Sequence, residues 1–431
     1  MNIVLLTPGT GSYHCGVCMR DNALAKELNR LGHRAVMLPM YLPLTLDESA
    51  ATPETPIFFG GVSTYLREKV PFLRKMPRWL DRLLSARPLL RLLAGKAART
   101  GGPEVAGMTL SMLRGELGNQ ASEIEELIAW LRIAFDGAKP DVVWLSTALQ
   151  AGLARRIRAE LGVPVIGFLQ GEDSFIDGLG PSANETWKLL SERMRDATAW
   201  VAPSRYFTEL MARRLGWAAD ELKVIPNGVT LPPRDSQLST LSSQPTIGYL
   251  ARFVPGKGIG MLVEAFILLH AAMPEVRLRC AGSMTDGDAK YVETLKARLR
   301  AAGCADAVEW LPNVSLAEKQ AFLASVTVFS VPATYSEAFG MYVIEALAAG
   351  TPVVLPASSA FPEIVEATGG GVLFETDAFV ENLAAALQAL LRDPARARAL
   401  GEAGRAAVAR DFSMTRLAER LVELSAERQN P

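Results

Sequence analysis

Short apolar runs alternate with helix-patterned stretches along this chain, and the alternation breaks once. NIVLLT (2–7) opens the series. NALAKELNRLGH follows, with Ala23, Leu24, Leu28 and Leu31 on one helical face and Gly32 as a C-terminal stop. RAVMLP, PDVVWLST, VPVIGFLQ and DATAWVAPS continue the strand series. Strands apolar on both faces need helices on both faces, which implies a parallel sheet. The break is TLPPRDSQLSTLSSQP (230–245), rich in Pro and Ser and without periodicity, which reads as an interdomain linker. A second series then begins with TIGYLAR and runs through VRLRCAGS, AVEWLP, VTVFSVPA, TPVVLPA and GGVLF. The expected fold is α/β: two facing, Rossmann-like, doubly wound domains, 1–229 and 246–412, with a cleft between them. Ligands of open α/β sheets bind at the carboxyl ends of the strands.

Size and composition agree. A chain of 431 residues exceeds one ordinary core. Hydrophobic residues at 49% and charged residues at 21% describe a globular protein. A net charge of −1 argues against nucleic-acid binding by bulk charge. Four cysteines in this length are no disulfide framework, no apolar run reaches membrane-spanning length, and MNIVLLTPGTGS lacks a basic leader. A cytoplasmic protein is the expectation. One stretch departs from the pattern. Residues 62–100 hold ten Lys or Arg against Glu68 and Asp81, interleaved with leucines and aromatics. Such a segment suits a peripheral contact with an anionic inner-membrane face. Equally, it suits a solvated helical insertion, extending over about 62–120, that lays its leucines on the domain.

The chemistry concentrates in SEAFGMYVIEALAAGTPVV (336–354). VTVFSVPA is the strand, TYSEAFG the loop at its carboxyl end, and MYVIEALAA a helix closed by Gly350 and Pro352. Val343, Ile344 and Leu347 suit the core, while Met341, Glu345 and Ala348 share another face. Glu345 lies about 7 Å along the axis from Gly340. Free N–H groups at the helix start suit a phosphate, Gly340 admits close approach, and a carboxylate beside them can accept from sugar hydroxyls. In GYLARFVPGKGIG, Arg252 offers a planar fork and Lys257, between Gly256 and Gly258, a compact charge. Alone these would be ordinary loop cations. Beside an acid–glycine–acid helix start they match a diphosphate.

These residues resemble the retaining glycosyltransferases of family 4, which have the GT-B fold. The signature E-x-F-G-x-x-x-x-E-A-x-A-x-G-x-P-V-V is met by Glu337, Phe339, Gly340, Glu345, Ala346, Ala348, Gly350, Pro352, Val353 and Val354. VIPNGV (224–229), ARFVPGKGI, GGGVLF and RDFSMTRLAERLVEL are similar to further family segments, so the likeness covers most of 200–431. The resemblance implies sugar transfer, of hexosyltransferase type, from a nucleotide-diphosphate sugar, with no metal or other cofactor. It implies that Arg252 and Lys257 hold the diphosphate, Glu345 the ribose and Glu337 the donor sugar. Asn227 and the backbone at Ala338, Phe339, Gly340 and Met341 would complete the donor site. It also implies that a final helix, within 413–431, crosses back to the first domain. The acceptor is not identified, a lipid-linked or polysaccharide precursor being the candidates.

The first half is similar to the family more loosely. Gly16 aligns with the second glycine of a Gly-Gly-Val and is the candidate for close approach to the donor, while Cys15 replaces the first. Where many members carry a His, this chain has Gln170, which cannot act as a base. Glu172 and Asp173 are the candidate substitutes. Two readings besides a transferase stay open: a nucleotide-sugar epimerase on a similar scaffold, and a non-catalytic nucleotide-sugar-binding protein.

Other motifs point to no separate chemistry. Cys15-Gly-Val-Cys18 lacks partner ligands at metal spacing and reads as structural thiols. Asp286-Gly-Asp288 reads as a solvated turn. GTGSYHCG is no dinucleotide fingerprint, and PGKGI has no Ser or Thr for magnesium as a P-loop would.

Overall fold

The computed structural model describes residues 1–9, 16–44, 46, 48–52, 55–58, 102–232 and 244–429. The basic stretch 62–100, Cys15 and most of the 230–245 linker lie outside them. The chain divides into two compact units, Met1–Pro226 with Leu417–Pro431, and Asn227–Arg416.

The first unit is built on a six-stranded parallel sheet. Its strands are β1 (Asn2–Thr7), β2 (Arg34–Pro39), β3 (Val142–Leu145), β4 (Val165–Phe168), β5 (Ala199–Ala202) and β6 (Lys223–Val224), in the order β2-β1-β3-β4-β5-β6. β3 and β4 are buried at every position, which accounts for their unbroken apolar sequence. β6 has no such run: both its residues are exposed, and it joins the sheet only through the pairing of Val201 with Lys223 and Ala202 with Val224. The order reverses between β1 and β3. There a buried polar knot ties the carboxyl ends together. Thr7 Oγ1 donates to Asp21 Oδ2 at 2.5 Å, Ser146 Oγ donates to the same oxygen, and Arg20 Nε donates to Oδ1 at 3.0 Å. The guanidinium of Arg20 also lies 4.9 Å over the Phe168 ring.

Helices Gly102–Arg114 and Ala121–Leu131 belong to this unit's core, burying Leu113, Ile124, Leu127 and Leu131. Of these, Leu113 falls within the expected insertion of about 62–120 and the other three lie beyond it. The closing helix, Met414–Glu427, is strongly amphipathic, and Ser425 near its end accepts from the buried Trp144 Nε1 at 3.1 Å.

The second unit repeats the architecture. Its strands are β7 (Thr246–Leu250), β8 (Arg277–Gly282), β9 (Val308–Pro312), β10 (Val328–Phe329), β11 (Val353–Pro356) and β12 (Gly371–Phe374). The sheet is parallel, in the order β12-β11-β10-β7-β8-β9. The reversal falls between β7 and β10, which pair through Val328 with Ile247 and Phe329 with Gly248. The loops leaving these two strands are therefore neighbours although about 80 residues separate them in sequence. This is the switch point at which open α/β sheets hold ligands.

Candidate functional site

The loop after β7 passes through a single turn, Pro255–Lys257, into Gly258 at φ +73°. A Cβ at 258 would stand 1.8 Å from the Pro332 carbonyl oxygen, so only glycine lets this loop lie against the one after β10. Thr334 N–H donates to Gly256 O at 3.0 Å and joins the same two loops.

Their side chains meet in one cluster. Lys257 Nζ lies 2.5 Å from Glu337 Oε2, with the two side chains 19% and 12% exposed. Tyr342 Oη donates to the same oxygen at 2.7 Å and Tyr335 Oη at 3.4 Å. The ammonium sits over both rings, 4.9 Å from the Tyr335 centroid and 5.0 Å from that of Tyr342. Burial pulls the Lys257 pKa down, but the Glu337 charge outweighs it and the net shift is upward. The Tyr342 phenol is driven well above its ordinary value by burial and then by Glu337, so it stays a hydrogen-bond donor.

Arg252 is held by a second acid. Its Nε donates to Asp288 Oδ2 at 3.2 Å and its Nη2 to Oδ1 at 3.1 Å. Asp286-Gly-Asp288 is therefore not a solvated turn. It forms the first turn of helix Asp286–Ala301, and Asp288 is 8% exposed. Thr285 N–H and Oγ1 donate to Asp288 Oδ2 at 2.9 and 2.7 Å, a helix cap that leaves Oδ1 to the guanidinium. Burial raises the Asp288 pKa, yet the bonds from Arg252 and Thr285 bring it below the ordinary value. The Arg252 side chain remains half exposed.

Helix Met341–Ala348 starts at Gly340, whose φ of +85° places it in the left-handed region. Val343, Ile344 and Leu347 are fully buried. Ala348 is buried as well, so the other face consists of the partly buried Met341 and Glu345. Glu345 has a partner that its local sequence does not announce: Lys319 of helix Leu316–Ser325 donates from Nζ to Oε1 at 3.0 Å. Ala338, Phe339 and Asn227 are buried in the same unit, at 7%, 4% and 5% exposure. Arg252, Lys257, Glu337, Gly340 and Glu345 thus share one sheet end. Sequence reasoning missed Lys319, Asp288, Tyr335 and Tyr342. Tyr342 carries no signal beyond an aromatic in an apolar helix, and Lys319 only a helix-compatible cation.

Gly16, Glu172 and Asp173 belong to the first unit. Gly16 opens helix Gly16–Arg30, with no atom of the described residues within 4 Å of the position a Cβ would take. Glu172 is saturated: it accepts from Thr147 Oγ1 at 2.7 Å and from the N–H groups of Ala148, Gln170 and Gly171 at 2.9, 2.8 and 3.1 Å. That is the arrangement of a loop-fixing carboxylate. Asp173 differs. It is 6% exposed, its Oδ1 has no hydrogen-bond partner among the described residues, and burial with the nearby Asp177 charge raises its pKa against partial opposition from backbone N–H groups. Cys18, Cys280 and Cys304 are buried. Among the described residues no helix is long and apolar enough to cross a membrane.

Comparison with known proteins agrees with this architecture. Residues 234–407 match the family described as glycosyl transferases group 1, and residues 19–228 a glycosyl transferase 4-like domain. A GDP-mannose-dependent alpha-(1-6)-phosphatidylinositol monomannoside mannosyltransferase of Mycolicibacterium smegmatis is 30% identical, over 78% of this chain and 86% of its own length. A GDP-mannose-dependent monoacylated alpha-(1-6)-phosphatidylinositol monomannoside mannosyltransferase of Corynebacterium glutamicum is 32% identical, over 67% of this chain and 74% of its own. Among solved structures, the Anabaena protein HepE in complex with UDP superposes with a TM-score of 0.67 at 17% identity, covering 99% of this chain and all (100%) of that one. Sucrose-phosphate synthase from Thermosynechococcus elongatus gives a TM-score of 0.69 at 19% identity, covering 99% and 98%.

Two parallel α/β units, one carrying an acid–glycine–acid helix start against two cations, define the class as transferases of the GT-B fold. The chain belongs to the group 1 glycosyltransferases of family 4 type and is a glycosyltransferase. The named relatives are transferases, so neither the epimerase nor the binding-only reading is favoured.

Proposed function

We propose that this enzyme moves a sugar, with retention of anomeric configuration, from a nucleoside-diphosphate sugar to a lipid-linked acceptor, and that the donor is GDP-mannose. The observation that carries the donor site is the meeting of Lys257 and Glu337, 2.5 Å apart, at the β7/β10 switch point. The donor and acceptor classes follow the mycobacterial and corynebacterial relatives, whose names specify GDP-mannose and phosphatidylinositol mannosides.

In this reading the diphosphate meets Arg252, Lys257 and the free N–H groups that open helix Met341–Ala348, with Glu345 on the ribose and Glu337 on the sugar. As the bond from C1 to the β-phosphate oxygen breaks, charge develops on that oxygen, and fixed cations stabilise it without reorganisation. The acceptor oxygen bonds to C1 on the face the diphosphate leaves, and its proton passes to the departing phosphate oxygen. No metal enters this scheme. Of the two first-unit carboxylates, Asp173 is the one able to accept from an acceptor hydroxyl, because Glu172 already takes four hydrogen bonds.

The test is a thermal-shift screen of GDP-mannose, UDP-glucose and ADP-glucose, followed by NMR of the product. Stabilisation by GDP-mannose and an α-linked mannoside support the reading. Stabilisation by UDP-glucose alone moves the donor, and a β-linked product overturns retention. Peripheral attachment through 62–100 is a separate part of the proposal. Replacing its Lys and Arg by Gln should abolish co-sedimentation with phosphatidylglycerol vesicles, and unchanged co-sedimentation would remove it.

A further inference from the structure

Oε2 of Glu337 accepts from three donors: Lys257 Nζ at 2.5 Å, Tyr342 Oη at 2.7 Å and Tyr335 Oη at 3.4 Å. No hydrogen bond from the described residues reaches Oε1. The family signature leaves position 342 open, so nothing in it asks for a tyrosine there. Yet Tyr342 is 8% exposed, and its ring is set between Phe329 and Phe361, with centroids 6.4 and 6.5 Å away. Its hydroxyl therefore arrives from one fixed direction, while its face supports the Lys257 ammonium.

We propose that Tyr342 is a positioning residue for the donor sugar: with Lys257 it occupies Oε2 of Glu337, so that Oε1 alone is presented to the sugar hydroxyls. This rests on the reading above that Glu337 meets the sugar. A free carboxylate can rotate and use either oxygen. Here both strong donors hold one oxygen, so the plane of the carboxylate and the direction of its remaining lone pairs are set before the donor arrives. Lys257 has three N–H groups, of which Glu337 takes one and Tyr335 engages another, which leaves one for phosphate. Tyr342 thereby links the two halves of the donor: its hydroxyl orients the group for the sugar, and its ring seats the group for the diphosphate. The consequence is a division that mutation can separate. Removing the hydroxyl disturbs the sugar contact only, while removing the ring disturbs both.

Calorimetric titration of wild type, Tyr342→Phe, Tyr342→Leu and Glu337→Gln with GDP and with GDP-mannose tests this, with UDP and UDP-glucose as the pair if the screen selects uridine. Tyr342→Phe keeps the ring, so GDP should bind within twofold of wild type while GDP-mannose weakens about tenfold, the loss of a charged hydrogen bond. Tyr342→Leu should weaken both. Equal weakening of both ligands by Tyr342→Phe, or no change in either, overturns the inference. Should Glu337→Gln weaken GDP-mannose while Tyr342→Phe does not, the inference fails and the role of Glu337 stands. Should Glu337→Gln bind both ligands as wild type does, the Glu337 assignment fails, and this inference with it. Melting curves and near-UV circular dichroism of each variant show whether the site is intact when titrated.

Discussion

Lys319 Nζ donates to Oε1 of Glu345 across 3.0 Å, from a helix that lies 26 residues earlier in the chain. Both side chains are largely covered, at 16% and 20% exposure. A carboxylate on an otherwise apolar helix is thereby aimed through one oxygen, and among the described residues its second oxygen takes no hydrogen bond.

Lys319→Met should therefore weaken nucleotide binding without emptying the site. The expected effect is a three- to tenfold rise in the Kd for GDP, against near-complete loss for Glu345→Ala. Because Glu345 would meet the ribose hydroxyls, Lys319→Met should also discriminate less than wild type between GDP and 2′-deoxy-GDP. Titration of both ligands checks this. Undiminished discrimination would mean that Lys319 only packs.

Removing one partner of the Lys257–Glu337 pair leaves a covered charge without its counter-ion. Lys257→Met should cost roughly 3–5 kcal/mol of stability, and adding Glu337→Gln should recover most of it. The sign with pH follows from the raised Lys257 pKa. The pair's contribution is complete below the unfolded lysine value of about 10.4 and is lost as pH rises through the higher folded value. Urea melts of wild type and Lys257→Met should converge in strong alkali and separate below it.

Asp173 has the same sign in the acid range. Its folded pKa is raised by burial, so the native state holds the proton more tightly than the unfolded chain. Stability should fall as pH rises from the ordinary aspartate value, about 3.9, through the raised value. Asp173→Asn should flatten that fall and melt higher than wild type at pH 7. If Asp173 also receives the acceptor hydroxyl, the same variant loses turnover while its donor Kd stays unchanged. Melting profiles against pH, together with single-turnover assays, separate the two effects.

Gly340→Ala tests the helix start. The backbone there has φ +85°, and a Cβ would come within 3.1 Å of Phe361 Cε1 and 3.2 Å of Val343 Cγ2. Strain of about 1–2 kcal/mol is expected from the left-handed conformation. Crowding at the N–H groups that would meet phosphate should weaken GDP binding further. A variant with wild-type melting and affinity would show that the glycine is dispensable.

The strands with unbroken apolar runs, β1 to β5 and β11, were legible because burial on both faces leaves its mark residue by residue. The helix from 341 was legible for the same reason, through Val343, Ile344 and Leu347. β6 was not, since Lys223 and Val224 are exposed and become a strand only by pairing with Val201 and Ala202. Asp286-Gly-Asp288 misled because its composition suits a turn, whereas Thr285 caps it into a helix and Arg252 reaches it from a neighbouring strand end.

By itself the sequence determined the alternation, the two sheets and the acid–glycine–acid helix start, all of them patterns spanning a few residues or turns. Only the tertiary structure decided which charge meets which: Lys257 with Glu337, Arg252 with Asp288, Lys319 with Glu345. Those partners lie 80, 36 and 26 residues apart. Local periodicity records whether a side chain is buried, whereas the partner of a buried charge depends on which strands become neighbours, here β7 beside β10.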